Sequence, residues 1–144
     1  MKHGTWVVVA DGRKVLFLHN QGDEAILDLR VRGERIQDNP STGEQGADRP
    51  GRAFATSGSG RSAMGQTDWH QIAEDKFAAE VARDINEAAL ANEFKELIIV
   101  APPKALAELR THLHKEAQGR VVAEIDKDLT KHPVEEIQKI LAKA

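Results

Sequence analysis

Apolar and polar positions along this chain predict three strands, then a region without pattern, then alternating helices and strands. Residues 5–10 are β-branched and nearly all apolar, which is typical of a strand buried on both faces. An Asp-Gly pair at 11–12 separates them from a second strand-like run at 13–19 and predicts a tight hairpin turn. Residues 25–32 alternate from Leu27 onward, which predicts a half-exposed edge strand.

The pattern is lost between residues 33 and 67. This stretch holds seven of the eleven glycines and two of the five prolines, so it predicts a long flexible loop. Its second half, residues 49–66, carries three arginines and no acidic residue. These are Arg49, Arg52 and Arg61.

Helical and strand periodicities return in the second half of the chain. They predict, in order, a helix capped by Thr67 or Asp68 with an apolar face that includes Trp69 and Ile72, a buried strand at 94–101, a helix from the prolines at 102–103 to Gly119, a strand at 120–125, and a helix after Pro133. The order β-β-β-loop-α-β-α-β-α is the connectivity of the ribonuclease H-like fold, an α/β class with a mixed sheet. The unit at 95–125 is expected to be parallel and right-handed.

The strand directions predict which residues meet. Ligands of open α/β sheets bind outside the carboxyl ends of the strands. Asp11, Pro102, Asp126 and the arginine-bearing loop are therefore expected at one edge of the sheet, and His19 at the other.

Composition narrows the class of protein. The 144 residues include 20 Lys and Arg against 23 Asp and Glu, a net charge of −3, and are expected to form one domain, residues 1–144. The absence of cysteine excludes disulfides, thiolate zinc sites and thiol catalysis. The apolar runs are too short to span a membrane, and the first residues lack the pattern of a signal peptide, so we expect a cytoplasmic protein.

Clustered carboxylates raise the alternative of a two-metal nuclease. Asp11 follows the first strand, and Asp126 and Asp128 follow the last one. The strand at 94–101, however, ends in Ala-Pro-Pro and offers no carboxylate, and Asp11 also suits a hairpin turn. We therefore assign neither metal nor cofactor.

Histidines give no better metal site. On a helix, His112 and His114 point about 200° apart and cannot share one ion. Glu108, His112 and Glu116 would share a helical face, but a solvated polar stripe is the more common use of such spacing.

Phosphate contact is the chemistry that the loop favours. Gly58, Ser59 and Gly60 allow close approach of backbone N–H groups, and arginine pairs with phosphate in bidentate fashion. The use of arginine alone favours RNA phosphates as ligands over a plain surface loop.

Four segments resemble the bacterial host-attachment protein family, whose members are described as required for attachment to host cells. They come in the family's order and cover nearly the whole chain: 48–52 (Asp-Arg-Pro-Gly-Arg), 58–64 (Gly-Ser-Gly-Arg-Ser-Ala-Met), 98–102 (Ile-Ile-Val-Ala-Pro) and 124–130 (Glu-Ile-Asp-Lys-Asp-Leu-Thr). That family is in turn similar to the middle domain of archaeal and eukaryotic class I peptide-chain release factors. There, a loop with Gly-Gly-Gln precedes a long helix, a strand, a helix, a strand ending near an Asp, and a terminal helix.

The resemblance implies a role at the ribosome. In release factors the glutamine-bearing loop helps water attack the peptidyl-tRNA ester. The nearest tripeptide here is Gly-Ser-Gly at 58–60, and the nearest glutamine is Gln66, which follows Gly65. We therefore expect an RNA- or ribosome-associated accessory protein, with Arg49, Arg52 and Arg61 contacting phosphates.

Two alternatives stay open at this point. The first is a peptidyl-tRNA or related ester hydrolase that uses Gln66 to orient water. The second is a protein-interaction module that supports host-cell attachment indirectly.

Overall fold

The computed structural model describes residues 1–37 and 59–143, and within residues 59–68 it describes the backbone alone. The described residues contain one sheet with five strands in the order β3-β2-β1-β4-β5. The strands are β1 (Trp6–Ala10), β2 (Lys14–Asn20), β3 (Leu29–Ile36), β4 (Leu97–Val100) and β5 (Val121–Ile125). The pairs β1–β2 and β2–β3 are antiparallel, whereas β1–β4 and β4–β5 are parallel.

Helices cover both faces of the sheet. In the described part of the chain they are α1 (Ser59–Leu90), α2 (Pro103–His112), α3 (Lys115–Gln118) and α4 (Val134–Lys143). The predicted α/β class with a mixed sheet is confirmed. The succession of elements is compatible with the predicted ribonuclease H-like arrangement.

Side chains of β1 point alternately into two apolar clusters. Trp6 and Val8 pack with α1, α2 and α3 on one face of the sheet. Val7 and Val9 pack with Ile137 of α4 on the other. All five residues of β1 are buried, as its unbroken apolar pattern predicts.

The third strand begins later than its alternating sequence predicts. Oδ1 of Asp23 accepts hydrogen bonds from the N–H groups of Ala25 and Ile26, at 2.9 and 2.8 Å. These backbone donors are therefore engaged in a turn and do not pair with β2. Pairing starts at Leu29 and continues through Gly33 to the end of β3, so the patternless region is shorter than predicted.

The long helix begins at Ser59, not at Thr67 or Asp68. Among its described side chains, from Trp69 onward, the first buried one belongs to Phe77. Trp69 and Ile72, which were predicted to face inward, are 47% and 58% exposed. Apolar spacing marks the part of a helix that packs on a core, and a helix that has nucleated there extends without a further nucleation cost.

The helix predicted to end at Gly119 is interrupted after His112. Asn86 of α1, 6% exposed, causes this break by replacing helical hydrogen bonds. Its Nδ2 donates to the carbonyl of His112 at 3.3 Å, and its Oδ1 accepts from the N–H of His114 at 2.9 Å. Because these groups are satisfied by a side chain, the backbone leaves the helix there and forms α3 separately.

Candidate functional site

The three parallel strands end at one edge of the sheet. β1 ends at Ala10, β4 at Val100 and β5 at Ile125. The N–H of Ala101 donates to the carbonyl of Ile125 at 3.0 Å, which joins the ends of β4 and β5. Asp11, Pro102 and Asp126 therefore follow the strands at a common edge, and we call it the carboxyl edge.

Asp11 organises the turn between β1 and β2. Its Oδ1 accepts hydrogen bonds from the N–H groups of Arg13 and Lys14, both at 2.7 Å. Its Oδ2 accepts from the hydroxyl of Thr130, also at 2.7 Å. Thr130 is 2% exposed and follows β5, so this hydrogen bond ties the turn to a segment more than 100 residues away in sequence.

Two of the three predicted carboxylates converge on the Thr130 hydroxyl. Oδ2 of Asp11 lies 2.7 Å from this hydroxyl, and Oδ1 of Asp128 lies 3.1 Å from it. Asp126 is exposed and has no hydrogen bond with either of them. Among the side chains of residues 1–37 and 69–143, no group of three or more His, Cys, Asp or Glu is placed to hold a metal ion. The carboxylates of Asp11 and Asp128 act in the structure as hydrogen-bond acceptors.

An open groove of about 900 Å³ lies beside this tie. One wall is the β1–β2 turn, residues 11–14, and the other is residues 130–134, with Leu16 and Glu74 completing the lining. We call it the edge groove. The hydrogen bond from Thr130 to Asp11 joins its two walls, so its shape is fixed by the fold.

Three cations line the edge groove: Arg13, Lys14 and Lys131. No salt bridge links any of them to another residue whose side chain the structure describes. The acidic residues of the lining are engaged elsewhere, since Asp11 holds the turn and Glu74 pairs with Lys104 at 3.2 Å. The lining thus carries excess positive charge on a chain whose net charge is −3.

Helix α1 runs past the carboxyl edge. Glu74 lies against the β1–β2 turn at Gly12, so this turn of the helix is level with the edge. Residues 59–73 precede that level, and at about 1.5 Å per residue they extend the helix by roughly 22 Å. A polar contact with α2 supports the last part of this extension, between Gln71 and Glu108 at 2.9 Å. A second contact, between Asp75 and His112 at 3.1 Å, follows just past the level of the edge.

Some of the residues that the sequence nominated lie in α1. Ser59, Gly60 and Arg61 form the first turn of α1, and Gln66 lies seven residues into the helix where a loop was predicted. Arg49, Arg52 and Gly58 lie outside the described residues.

The polar face predicted from Glu108, His112 and Glu116 does not form one cluster. Glu108 bonds Gln71, whereas Oε2 of Glu116 lies 2.9 Å from Nη2 of Arg120. His112 bonds Asp75, and the break after this histidine takes Glu116 into a different helix.

Sequence reasoning missed Arg13, Lys14 and Lys131. A signal for them was present, because each lies within three residues of a carboxylate assigned to the carboxyl edge. The sequence prediction for this edge named only the acidic residues and not the cations beside them.

The order of elements defines the class of protein. A long helix, a strand, helices, a strand ending near Asp126 and a terminal helix follow one another as the resemblance to release-factor middle domains implies. The sequence model of bacterial archaeo-eukaryotic release factor family 12 matches residues 4–141, and the chain belongs to this family. No curated protein matches the chain. None of the described helices is both long and apolar enough to cross a membrane.

Proposed function

We propose that this protein is a ribosome-associated accessory factor of the cytoplasm that contacts RNA through the amino-terminal end of α1 and the arginines before it. The observation that carries the proposal is a helix of 32 residues that runs roughly 22 Å past the carboxyl edge, in a chain of a release-factor family. A helix that extends beyond its core in this way can reach into a cleft that the body of the protein cannot enter.

The charge of the segment around the start of α1 also supports RNA contact there. Arg49, Arg52 and Arg61 are the charged residues of the segment 49–66, and guanidinium groups bind phosphates in bidentate fashion. Phosphate contacts supply affinity without reading sequence and weaken as salt rises. The expected complex is therefore stable at low salt and dissociates at high salt.

Sedimentation through sucrose gradients tests the proposal. Tagged protein is expected to travel with ribosomal particles at low salt and to remain at the top of the gradient at high salt. The variant with Arg49→Ala, Arg52→Ala and Arg61→Ala is expected to lose this association. Failure of the unchanged protein to sediment with ribosomes at low salt would overturn the proposal.

A matched control removes three cations elsewhere. Arg83, Lys95 and Lys139 are exposed, and each lacks a salt bridge within the described part of the chain. Their combined replacement by alanine makes the same change in net charge. Sedimentation equal to that of the unchanged protein is expected, and an equal loss in both variants would reduce the effect to overall charge.

Membership of a release-factor family also favours a second function, hydrolysis of a peptidyl-tRNA ester. Water would attack the ester carbonyl, the bond to the ribose oxygen would break, and a peptide acid and a free tRNA hydroxyl would leave. Gln66, on the extended part of α1, would orient the water. Gln66→Ala is expected to abolish ester cleavage, whereas Gln71→Ala on the same helix is expected to retain it. Equal cleavage by both variants would remove Gln66 from the reaction.

A further inference from the structure

We infer that the edge groove binds the phosphodiester backbone of single-stranded RNA, as a second contact separate from the arginines of residues 49–61. The inference rests on the proposed function, since it names further residues through which the protein would hold RNA. The residues that carry it are Arg13, Lys14 and Lys131.

The walls of the edge groove are held together before any ligand binds. The Thr130 hydroxyl is buried and donates across the groove to Asp11, whose other oxygen closes the β1–β2 turn. A ligand therefore meets two walls in a fixed relation. Binding to such a surface costs less ordering entropy than binding to two separate loops.

The cations of the groove are available to a ligand. Arg13 and Lys131 are exposed, and no carboxylate of residues 1–37 or 69–143 pairs with either. An unpaired cation does not have to give up an internal salt bridge in order to bind a phosphate. Several other arginines whose side chains are described do pair with acids, as Arg35 does with Asp84 at 2.8 Å.

Size and shape favour a chain of phosphates over a single anion. The groove holds about 900 Å³, which is near the upper end of the roughly 300–1,000 Å³ typical of small-ligand sites. Its three cations come from both walls, so they can contact more than one phosphate. Neither Phe nor Trp is among the described lining residues, and the ring of His132 is held by Glu136 at 2.8 Å, so we expect recognition of the backbone and not stacking of bases.

The groove is continuous with the end of the molecule that the proposed function uses. Glu74 of α1 belongs to its lining and marks the point where the helix passes the carboxyl edge. An RNA strand held near the start of α1 can therefore continue along this helix into the groove.

Fluorescence anisotropy with a labelled uridine dodecamer tests the inference on the full chain. Arg13→Glu with Lys131→Glu is expected to weaken binding at least about tenfold and to reduce the slope of log affinity against log salt by about 1.4, at roughly 0.7 per single-strand phosphate contact. The neutral pair Arg13→Gln with Lys131→Gln is expected to lose most of the same affinity. Arg83→Glu with Lys139→Glu is the control, since both cations are exposed and lie outside the groove.

Affinity unchanged in both groove variants, or lost equally in the control, would overturn the inference. Tighter binding of a labelled dodecamer of glutamate than of RNA would also overturn it, because the groove would then suit acidic peptides. The thermal unfolding midpoint of each variant checks that the fold is retained, and the neutral pair is the deciding variant if the charge-reversed pair unfolds.

The two proposals can fail separately. Groove variants that bind the dodecamer normally, beside a triple-arginine variant that no longer sediments with ribosomes, would remove the groove and leave the proposed function. If the protein does not sediment with ribosomes but binds the dodecamer through the groove, the proposed function would be removed and the groove would remain an RNA-binding site.

Discussion

Two pairs of cations, one pair at each end of the sheet, are used in opposite ways. At the carboxyl edge, Arg13 and Lys131 line the edge groove without a salt bridge to any described residue. At the opposite edge, where α1 ends, Arg32 pairs with Glu93 at 3.5 Å and lies 4.9 Å over the ring of Trp6. Arg120 lies there too and bonds several groups at once.

This difference shows that the count of charges says little about where a ligand binds. A cation that already holds a carboxylate, a carbonyl or an aromatic ring contributes to the fold, and a ligand would have to displace those partners. A cation without such partners contributes little to stability and is available to bind. Stability and binding are therefore expected to respond to opposite sets of substitutions.

The largest expected effect on stability comes from Arg120 at the opposite edge. Its guanidinium donates to the carbonyl of Phe94, to Asn92 and to Glu116. Arg120→Ala should lower the free energy of unfolding by about 2–3 kcal/mol, because it leaves that part-buried carbonyl without its charged donor. Urea denaturation measures the loss.

The control for this prediction is Arg83→Ala. Arg83 is exposed, so its removal should change the free energy of unfolding by no more than about 0.5 kcal/mol. A loss of similar size in the two variants would contradict the distinction between structural and available cations.

The next largest effect on stability is expected from the hydrogen bond between Thr130 and Asp11, which joins the walls of the edge groove. Thr130→Val keeps the shape of the side chain and removes the donor to Asp11. The expected cost is about 1–2 kcal/mol, since one acceptor beside a buried position loses its partner. Thr111→Val is the matched control, because that hydroxyl donates to the carbonyl of Glu108 at an exposed position. Equal urea midpoints for Thr130→Val and the unchanged protein would show that the tie does not hold the groove.

Much of the fold follows from apolar periodicity, and two of the exceptions share one cause. The buried strands and the packed half of α1 were predicted because their pattern records contact with a core. The start of β3 and the break after His112 were not, since side chains of Asp23 and Asn86 bond backbone groups there. Such competition depends on tertiary position, which the spacing of apolar residues does not record.

The candidate site was predicted less completely than the fold. Strand direction correctly brought Asp11 and Asp126 to one edge, and the paired strands put His19 at the other, opposite Trp6. The edge groove could not be foreseen, because it depends on a hydrogen bond between Asp11 and Thr130, which lie far apart in sequence. Which cations lack partners is likewise settled only by the packing of the whole chain.

A smaller effect on stability is expected from a change of pH, through His19 at the opposite edge. Burial, and next the charge of Arg32, lower the pKa of His19 from its ordinary value of 6.5. A depressed pKa means that the folded state disfavours the proton. The contribution of His19 to stability is therefore present above pH 6.5 and is lost as the pH falls through the lowered pKa.

His19→Gln should remove part of this loss. The difference in urea midpoint between pH 7.5 and pH 5.5 is expected to be smaller in the variant than in the unchanged protein. The exposed His70 provides the control, since His70→Gln should leave the difference as it is. If His19→Gln loses as much stability on acidification as the unchanged protein does, His19 does not contribute to the pH dependence of stability.

The smallest effect on stability is expected from the cations of the edge groove, whose replacement should have the greatest effect on RNA binding. Arg13→Gln with Lys131→Gln removes two exposed cations that have no carboxylate partner among the described residues. The backbone N–H of Arg13, which Asp11 requires, is retained. The free energy of unfolding should therefore change by less than about 0.5 kcal/mol in either direction, because only solvated charge is lost. A loss as large as that of Arg120→Ala, measured in the same urea titration, would mean that these cations hold the fold together. The contrast between the two edges would then disappear, and weaker RNA binding by the variant would no longer identify a binding surface.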